Sequence, residues 1–150
     1  MILTQDEINE LLSILKEVKY EKDNFRFPER NESAMLEAYS EDMKKKFLID
    51  IRTGTPRSDP RKVTYQERYA KDTVLVRLDL YGPPHTNPDG ATLSGNHLHI
   101  IKEGFDDRYA IEVPKEFIDI NDKIDTLINF LEYCKVKNPV FTNIERSMFI

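Results

Sequence analysis

The chain has 150 residues, of which 39% are hydrophobic and 33% charged, and its formal net charge at pH 7 is −5. This length and apolar content support one hydrophobic core in a single domain over 1–150 and exclude a disordered polyampholyte. The acidic balance argues against direct sequence-specific binding of nucleic acid, and the absence of an apolar run of about 18 residues argues against a membrane span.

Cysteine usage and the N-terminal segment predict where the protein resides. Cys134 is the single cysteine, so no internal disulfide can form, which is typical of a reducing compartment. The N-terminal segment lacks a basic region and carries Asp6, Glu7 and Glu10 among its apolar residues, unlike a signal peptide. We therefore expect a soluble, cytoplasmic protein.

The first half of the chain predicts a helix followed by strands. Thr4 and Glu7 match a capping box, and the apolar residues behind them repeat at helical spacing as far as Val18. Short strand patterns follow in NFRFP, AMLEAYS and KKFLIDIRTG. KVTYQERYA and TVLVRLDLY, separated by Lys71–Asp72, predict a hairpin.

The second half predicts a long loop, two more strands and a second helix. GPPHTNPDGATLSGN is rich in turn residues, while HLHII and RYAIEVP are strand patterns on either side of the turn EGFDD. A helix is expected over roughly 121–135, before Asn138–Pro139 and an apolar tail. Strands this close in sequence pair antiparallel. The prediction is an α+β fold: a curved antiparallel sheet or partial barrel of five to seven strands, flanked by an N-terminal and a C-terminal helix.

All three histidines of the chain, His85, His97 and His99, fall within residues 82–100. His97 and His99 alternate along a predicted strand, so both imidazoles point to one face with Cα atoms under about 7 Å apart. His85 could fold back as the third ligand of a zinc ion. The candidates for a fourth ligand are Asp79, Asp89, Asp106, Asp107 and Cys134.

Two other interpretations of the histidines stay open at this point. In acid–base cleavage of a phosphodiester, His97 and His99 are acid and base, Arg77 stabilises the developing charge, and Asp79 orients an imidazole. Alternatively, the histidines are ordinary half-buried side chains with satisfied nitrogens. At a metal site, an open coordination position favours catalysis, whereas a closed one favours a structural role.

A basic run precedes the predicted hairpin. The segment RTGTPRSDPRK contains Arg52, Arg57, Arg61 and Lys62, and its two prolines predict an exposed loop. We interpret these cations as a solvated loop, with contact to phosphate or to an acidic partner as the alternative.

Three segments resemble a small family of phage and mobile-element proteins of Gram-positive bacteria. They are FLIDI, KVTYQERYAKDTVLVRLDLYGPPHTNPDG and HLHIIKEGFDDRYAIEVP, over roughly 46–114, and the resemblance is strongest at GPPHTNPDG and HLHI. The pattern of the family corresponds here to Arg77 with Asp79, to Pro84–His85, and to His97 with His99. The family brings no settled activity with it. A looser similarity to small bacterial toxins with the same three features supports a nuclease.

What the resemblance implies is an anti-defence protein, in particular an anti-CRISPR protein that binds and inhibits a Cas9-like nuclease of the host. In this interpretation His85, His97 and His99 hold a structural zinc ion that pins the long loop to the sheet. The net charge of −5 is compatible with docking on a basic channel. The alternative function is a small metal-dependent or histidine-based ribonuclease of the toxin type. A third interpretation is a structural or regulatory phage protein whose histidines have no special role.

Overall fold

A computed structural model describes residues 2–19 and 25–137 of the chain. Within these ranges the helices are α1 (Gln5–Ser13) and α2 (Lys123–Tyr133). The strands, in chain order, are β1 (Lys16–Lys19), β2 (Ser33–Ser40), β3 (Lys46–Thr53), β4 (Val63–Tyr69), β5 (Thr73–Leu80), β6 (His85–Thr86), β7 (Thr92–Leu93), β8 (His97–Ile100), β9 (Ala110–Glu112) and β10 (Val136–Lys137).

The main sheet has the strand order β10-β1-β2-β3-β4-β5-β8-β9, and β6 pairs with β7 in a separate two-stranded ribbon. Every pair of neighbours in the main sheet is antiparallel except β1 with β10. The predicted α+β fold is therefore confirmed, with one helix near each end of the described chain. The sheet has eight strands instead of five to seven because the short strands β1 and β10 extend one edge.

One face of the sheet packs against α2 and forms the core. The ring of Tyr65 on β4 lies 5.9 Å from that of Phe130 on α2, and the Tyr65 hydroxyl donates a 2.7 Å hydrogen bond to the carbonyl oxygen of Lys123. Other side chains that are fully buried in this core are Ile49, Ile51, Leu78, Leu98, Leu127 and Leu131.

The hairpin of β4 and β5 forms where it was predicted, with one irregularity. The turn between the strands includes Ala70 and Lys71 at positive φ angles of 50° and 70°. A β-bulge between Glu67 and Arg68 shifts the register of the remaining pairs by one residue. The bulge decides which β4 residue lies beside Asp79, as described below.

The predicted start of the first helix is confirmed, but its predicted end is wrong. The backbone amide of Glu7 donates to the Thr4 hydroxyl at 3.2 Å, and the amide of Thr4 donates to the Glu7 carboxylate at 3.0 Å, which completes the capping box. The helix ends at Ser13, whose hydroxyl donates to the carbonyl oxygen of Glu10 at 2.7 Å. The chain then enters β1 because Lys16 has a buried anionic partner across the sheet, so the apolar spacing as far as Val18 does not continue the helix.

Two further predictions concern segments near the ends of the described ranges. The residues of NFRFP from Phe25 onward form no strand, although Phe25 and Phe27 are buried; Asn24 lies outside the described residues. Asn138–Pro139 and the apolar tail also lie outside them. Neither α1 nor α2 has the length and apolar character that crossing a bilayer requires.

Candidate metal centre

The register of β5 and β8 brings four polar side chains together on the face of the sheet opposite α2. Asp79 pairs with His97, and Arg77 pairs with His99. Residues directly opposite each other in an antiparallel pair share a face, so these side chains meet there. The residue between the two histidines, Leu98, points the other way into the core and is fully buried. Strand alternation thus separates the polar cluster from the core.

Asp79, His97 and His99 form a compact group of possible metal ligands. The Nε2 atom of each histidine lies 3.3 Å from Oδ2 of Asp79, and the ligand atoms of all three residues lie within 4.8 Å of one another. The histidine side chains are only 4% and 2% exposed, whereas that of Asp79 is 22% exposed. This group could hold a metal ion.

Backbone carbonyl groups fix the orientation of both imidazoles. Nδ1 of His97 lies 2.7 Å from the carbonyl oxygen of Ser94, and Nδ1 of His99 lies 2.8 Å from that of Asp107. A carbonyl oxygen only accepts hydrogen bonds, so each Nδ1 carries the proton and donates it. In the neutral rings the lone pairs therefore lie on Nε2, directed at Asp79. Metal-binding histidines are commonly held in this way by an acceptor behind the ring.

Arg77 is the cation that these acceptors share in the structure. Its guanidinium contacts Nε2 of His99 at 3.1 Å, Oδ2 of Asp79 at 3.2 Å and Oδ2 of Asp107 at 2.8 Å. A guanidinium can only donate, so a neutral His99 accepts from it at Nε2. Nε2 of His99 and Oδ2 of Asp79 face each other at 3.3 Å. A proton on Nε2 can join the two atoms, and a metal ion would take the place of that proton.

Asp79 is held in the orientation and the charge state that a metal ligand needs. The hydroxyl of Thr64 on β4 donates to Oδ1 at 3.1 Å, which leaves Oδ2 facing the imidazoles. Burial acts to raise the pKa of Asp79, but hydrogen bonding to His99 and Thr64 and the charge of Arg77 outweigh it, lowering the pKa from 3.8 to about 2. The carboxylate is therefore ionised at neutral pH.

His85 lies beside the other two histidines, as predicted, but a different ring nitrogen of His85 faces a carbonyl oxygen. Its ring centroid lies 4.6 Å from that of His99 and 5.4 Å from that of His97. Its Nε2 lies 2.8 Å from the carbonyl oxygen of Arg108, so Nε2 carries the proton and Nδ1 the lone pair. The compact group of ligand atoms comprises Asp79, His97 and His99. Direct ligation by His85 stays a prediction.

Of the candidates for a further ligand, Asp79 is the one that joins the histidine pair. Asp107 turns its carboxylate to Arg77, and Asp89 accepts from the backbone amide of Ala91 at 3.0 Å. Cys134 is buried in the core, and burial raises the pKa of its thiol well above 9.0.

Protein contacts hold the long loop between β5 and β8 against the sheet. The side-chain amide of Asn87 donates to the carbonyl oxygen of Ala110 at 2.9 Å and accepts from the Ala110 amide at 2.8 Å, and Asn87 is buried. At the base of the loop the chain crosses itself so closely that a Cβ atom on Gly95 would lie 2.0 Å from the carbonyl oxygen of Gly82. Only glycine fits at residue 95.

A cavity of about 230 Å³ opens beside the three candidate ligands. Its walls combine rigid prolines, positively charged side chains and the site residues: Lys62, Thr64, Arg77, Asp79, Leu80, Gly82, Pro83, Pro84, His85, His97 and His99. The sequence interpretation missed Thr64 and gave Lys62 no role in the site. A hairpin register counted with the bulge would have placed Thr64 opposite Asp79.

The comparisons with known proteins identify the family and no activity. The model of a family of unknown function, DUF6978, matches residues 3–136. Among curated proteins and among solved structures, nothing gives a significant match. The matched range contains every residue of the site, from Lys62 to Arg108, so the candidate metal centre lies within the family domain. The chain belongs to the family of unknown function DUF6978.

Proposed function

We propose that the protein is a metal-dependent hydrolase of phosphoester bonds and that Asp79, His97 and His99 hold a zinc ion. One observation carries the metal centre: two imidazole lone pairs and one carboxylate oxygen converge, and both rings are locked behind by carbonyl acceptors. Acceptors in this arrangement repel one another unless a proton or a metal ion lies among them, and the three ligand atoms lie close enough together to share one ion.

The donor set favours zinc over other common metals. Two imidazoles and one carboxylate form the protein shell of many catalytic zinc sites, in which a fourth position is left open. The same donors also bind ferrous iron, but zinc stands above Fe²⁺ in the usual order of affinity for nitrogen and oxygen ligands. Calcium and magnesium prefer sites built from oxygen alone.

Two features support a catalytic role over a structural one. The group supplies three ligand atoms and borders an open cavity, which leaves room for a water molecule and a substrate. In addition, Asn87 already pins the long loop through two hydrogen bonds with Ala110, so the loop does not need a metal ion to hold it.

Each of the surrounding residues has a definable task in hydrolysis. A bound zinc ion supplies a Lewis acid and an activated water nucleophile. His85 lines the cavity with the lone pair of Nδ1 unused by any hydrogen bond of the described residues, so this nitrogen can accept the proton that the nucleophile loses. Arg77 and Thr64 keep the Asp79 carboxylate ionised and oriented.

The test begins with elemental mass spectrometry of purified, untagged protein. We expect about one zinc ion per chain and its loss in His97→Ala/His99→Ala. Hydrolysis of RNA and of small phosphoesters should be lost in that variant. His85→Gln is the matched control: it should keep the zinc and the melting temperature while losing most of the hydrolysis. A protein without bound metal, or one whose zinc survives the double substitution, would contradict the proposed centre.

The anti-defence function remains a separate proposal with a separate test. It rests on the resemblance to phage proteins and on the net charge of −5. Under this proposal the protein binds a Cas9-like nuclease and protects target DNA from cleavage. Complete cleavage of the DNA at a saturating concentration of the protein would exclude that effector as the partner.

A further inference from the structure

Lys62 is a positively charged side chain that borders the cavity and has no counter-ion among the described residues. It lies just before β4 and is half-buried. In the described part of the chain, its ammonium group forms no ion pair and no hydrogen bond with a side chain or a carbonyl oxygen. Arg77, the other cation that lines the cavity, is paired with Asp79 and Asp107. Of these two cations, Lys62 is therefore the one whose charge is left for a ligand.

The backbone and a glycine hold Lys62 toward the cavity. Its amide donates to the carbonyl oxygen of Asp59, and its carbonyl oxygen accepts from the amide of Gly54, each at 3.0 Å. Its side chain runs along Gly82: a Cβ atom built on that glycine would lie 3.7 Å from Cε of Lys62. The end of the lysine therefore lies beside the same loop segment that forms the cavity wall.

The charges around the cavity balance until a metal ion is added. Asp79 and Asp107 carry one negative charge each, and Arg77 and Lys62 carry one positive charge each. Arg77 is already compensated, because it contacts both carboxylates. A divalent ion bound to Asp79 would leave the site with two positive charges in excess. The ammonium group of Lys62 carries one of these uncompensated charges. A ligand with two negative charges would neutralise this excess, so the charges favour a dianion.

The dimensions of the cavity favour a compact group. Its volume of about 230 Å³ lies below the ~300–1,000 Å³ typical of pockets for drug-sized ligands. Pro83 and Pro84 form part of the wall, and prolines restrict its movement. A tetrahedral end group fits this space better than a nucleotide with chain on both sides.

We propose that the cavity recognises a terminal phosphate monoester and that Lys62 is the residue that selects it. This inference rests on the proposed metal centre and adds the substrate class. A monoester carries up to two negative charges and three terminal oxygens, whereas an internal diester carries one charge and two such oxygens. Lysine binds phosphate as a point charge through its ammonium group.

The experiment compares binding of methyl phosphate and dimethyl phosphate by calorimetry, with zinc-loaded protein. The wild type should bind methyl phosphate at least about 10-fold more tightly than dimethyl phosphate. Lys62→Gln should weaken methyl phosphate binding by about 10-fold or more, because a hydrogen bond to a charged group is lost. The same variant should keep its zinc and its melting temperature. Lys44→Gln, in the exposed turn between β2 and β3, is the matched control and should bind as the wild type does.

Failure of this inference can be distinguished from failure of the metal centre. Equal affinities for the monoester and the diester, or unchanged binding in Lys62→Gln with zinc in place, would overturn the terminal-phosphate assignment and leave the metal centre standing. If no zinc binds, the metal centre fails, and the charge argument for a dianion fails with it.

Discussion

Two of the buried polar clusters to which strand β4 contributes lie on opposite faces of the sheet, and they are built differently. On the α2 side, Lys16 and Glu67 form a 2.6 Å ion pair with both side chains fully buried. The Lys16 ammonium also donates to the carbonyl oxygen of Cys134 at 2.7 Å and lies 4.5 Å from the ring centroid of Phe47. One cation meets one anion there, enclosed by core side chains.

The cluster on the opposite face has more acceptors than cations and is open. The guanidinium of Arg77 is shared by the carboxylates of Asp79 and Asp107 and by Nε2 of His99. A cavity borders this group, whereas the Lys16–Glu67 pair is sealed. Burial of polar groups is common to both clusters, so it does not mark function by itself. The excess of acceptors beside an open space is what distinguishes the candidate site.

The largest loss of stability is expected from breaking the buried ion pair between Lys16 and Glu67. Lys16→Met leaves the buried Glu67 carboxylate without its cation and should lower the free energy of unfolding by about 3–5 kcal/mol. Burial already raises the pKa of Glu67 against the effect of Lys16, which indicates how costly the isolated anion would be. Urea denaturation measures the loss.

A second variant separates the charge from the packing. In Lys16→Met/Glu67→Met, no buried charge remains, and most of the lost stability should return because apolar replacements of buried ion pairs are often neutral. Zinc content should be unaffected in both variants. If the double variant is as unstable as the single one, packing around the lysine stem is the cause instead of charge.

A substitution in the cluster around Asp79, His97 and His99 should lower the metal affinity more than the free energy of unfolding. Asp79→Asn removes the anionic ligand but keeps the shape of the side chain, so zinc affinity should fall by at least about 100-fold, more than for loss of a supporting residue. A competition titration with a chromophoric chelator measures it. Asp107→Asn is the matched control, since its carboxylate contacts Arg77 and not the ligand group, and should lose less than about 10-fold. Equal losses in the two variants would contradict the assigned ligand set.

The stability of the metal-free protein should depend on acid pH through Asp79. The pKa of Asp79 is about 2 in the folded protein against an ordinary 3.8. Because the folded pKa is lowered, the ionised group contributes stability above pH 3.8, and this contribution is lost as the pH falls through about 2. The loss should amount to about 2 kcal/mol. Denaturation of wild type and Asp79→Asn from about pH 5 downward measures the difference, and parallel curves would contradict it.

The local parts of the fold were predictable, and the non-local contact that ends α1 was not. The capping box of Thr4 and Glu7 and the placement of His97 and His99 on one face of a strand follow from spacing alone. The end of α1 does not follow from spacing. The apolar spacing predicts a longer helix because it carries no information about Glu67, the ion-pair partner of Lys16 across the sheet. A buried ion pair between distant residues has no signature in local spacing.

The candidate site was predicted in its residue types and only partly in its geometry. Arg77, Asp79 and the histidine pair were singled out, but the register that aligns them depends on the conformation of the long loop between β5 and β8. Thr64 was missed because the bulge in the hairpin, where Leu75 of β5 is the extra residue, sets the register. Counting back from the turn without the bulge places Thr64 opposite a core residue instead of Asp79. One inserted residue thus decides which side chain supports the carboxylate.

Loss of the hydrogen bond from Thr64 to Asp79 should lower the zinc affinity moderately. Thr64→Val removes the 3.1 Å hydrogen bond to Oδ1 of Asp79 while keeping the branched shape. Zinc affinity should fall by about 10-fold, the lower end of what supporting residues contribute at metal sites. The chelator titration used for Asp79→Asn measures it. Thr73→Val, at the far end of the same hairpin, is the control and should bind zinc as the wild type does; a similar fall in both variants would show a general effect on the sheet.

The smallest effect on the free energy of unfolding is expected from substitution of Glu17, the residue next to Lys16. Glu17 pairs with Lys137 at 2.9 Å, but both side chains are largely exposed, at 65% and 57%. Water screens this pair and hydrates each charge when the partner is removed, so Glu17→Gln should leave the free energy of unfolding unchanged within error. The same denaturation assay applies to both neighbours. A loss in Glu17→Gln comparable to that in Lys16→Met would mean that the pairing of β1 with β10, and not burial of charge, sets the stability of this edge.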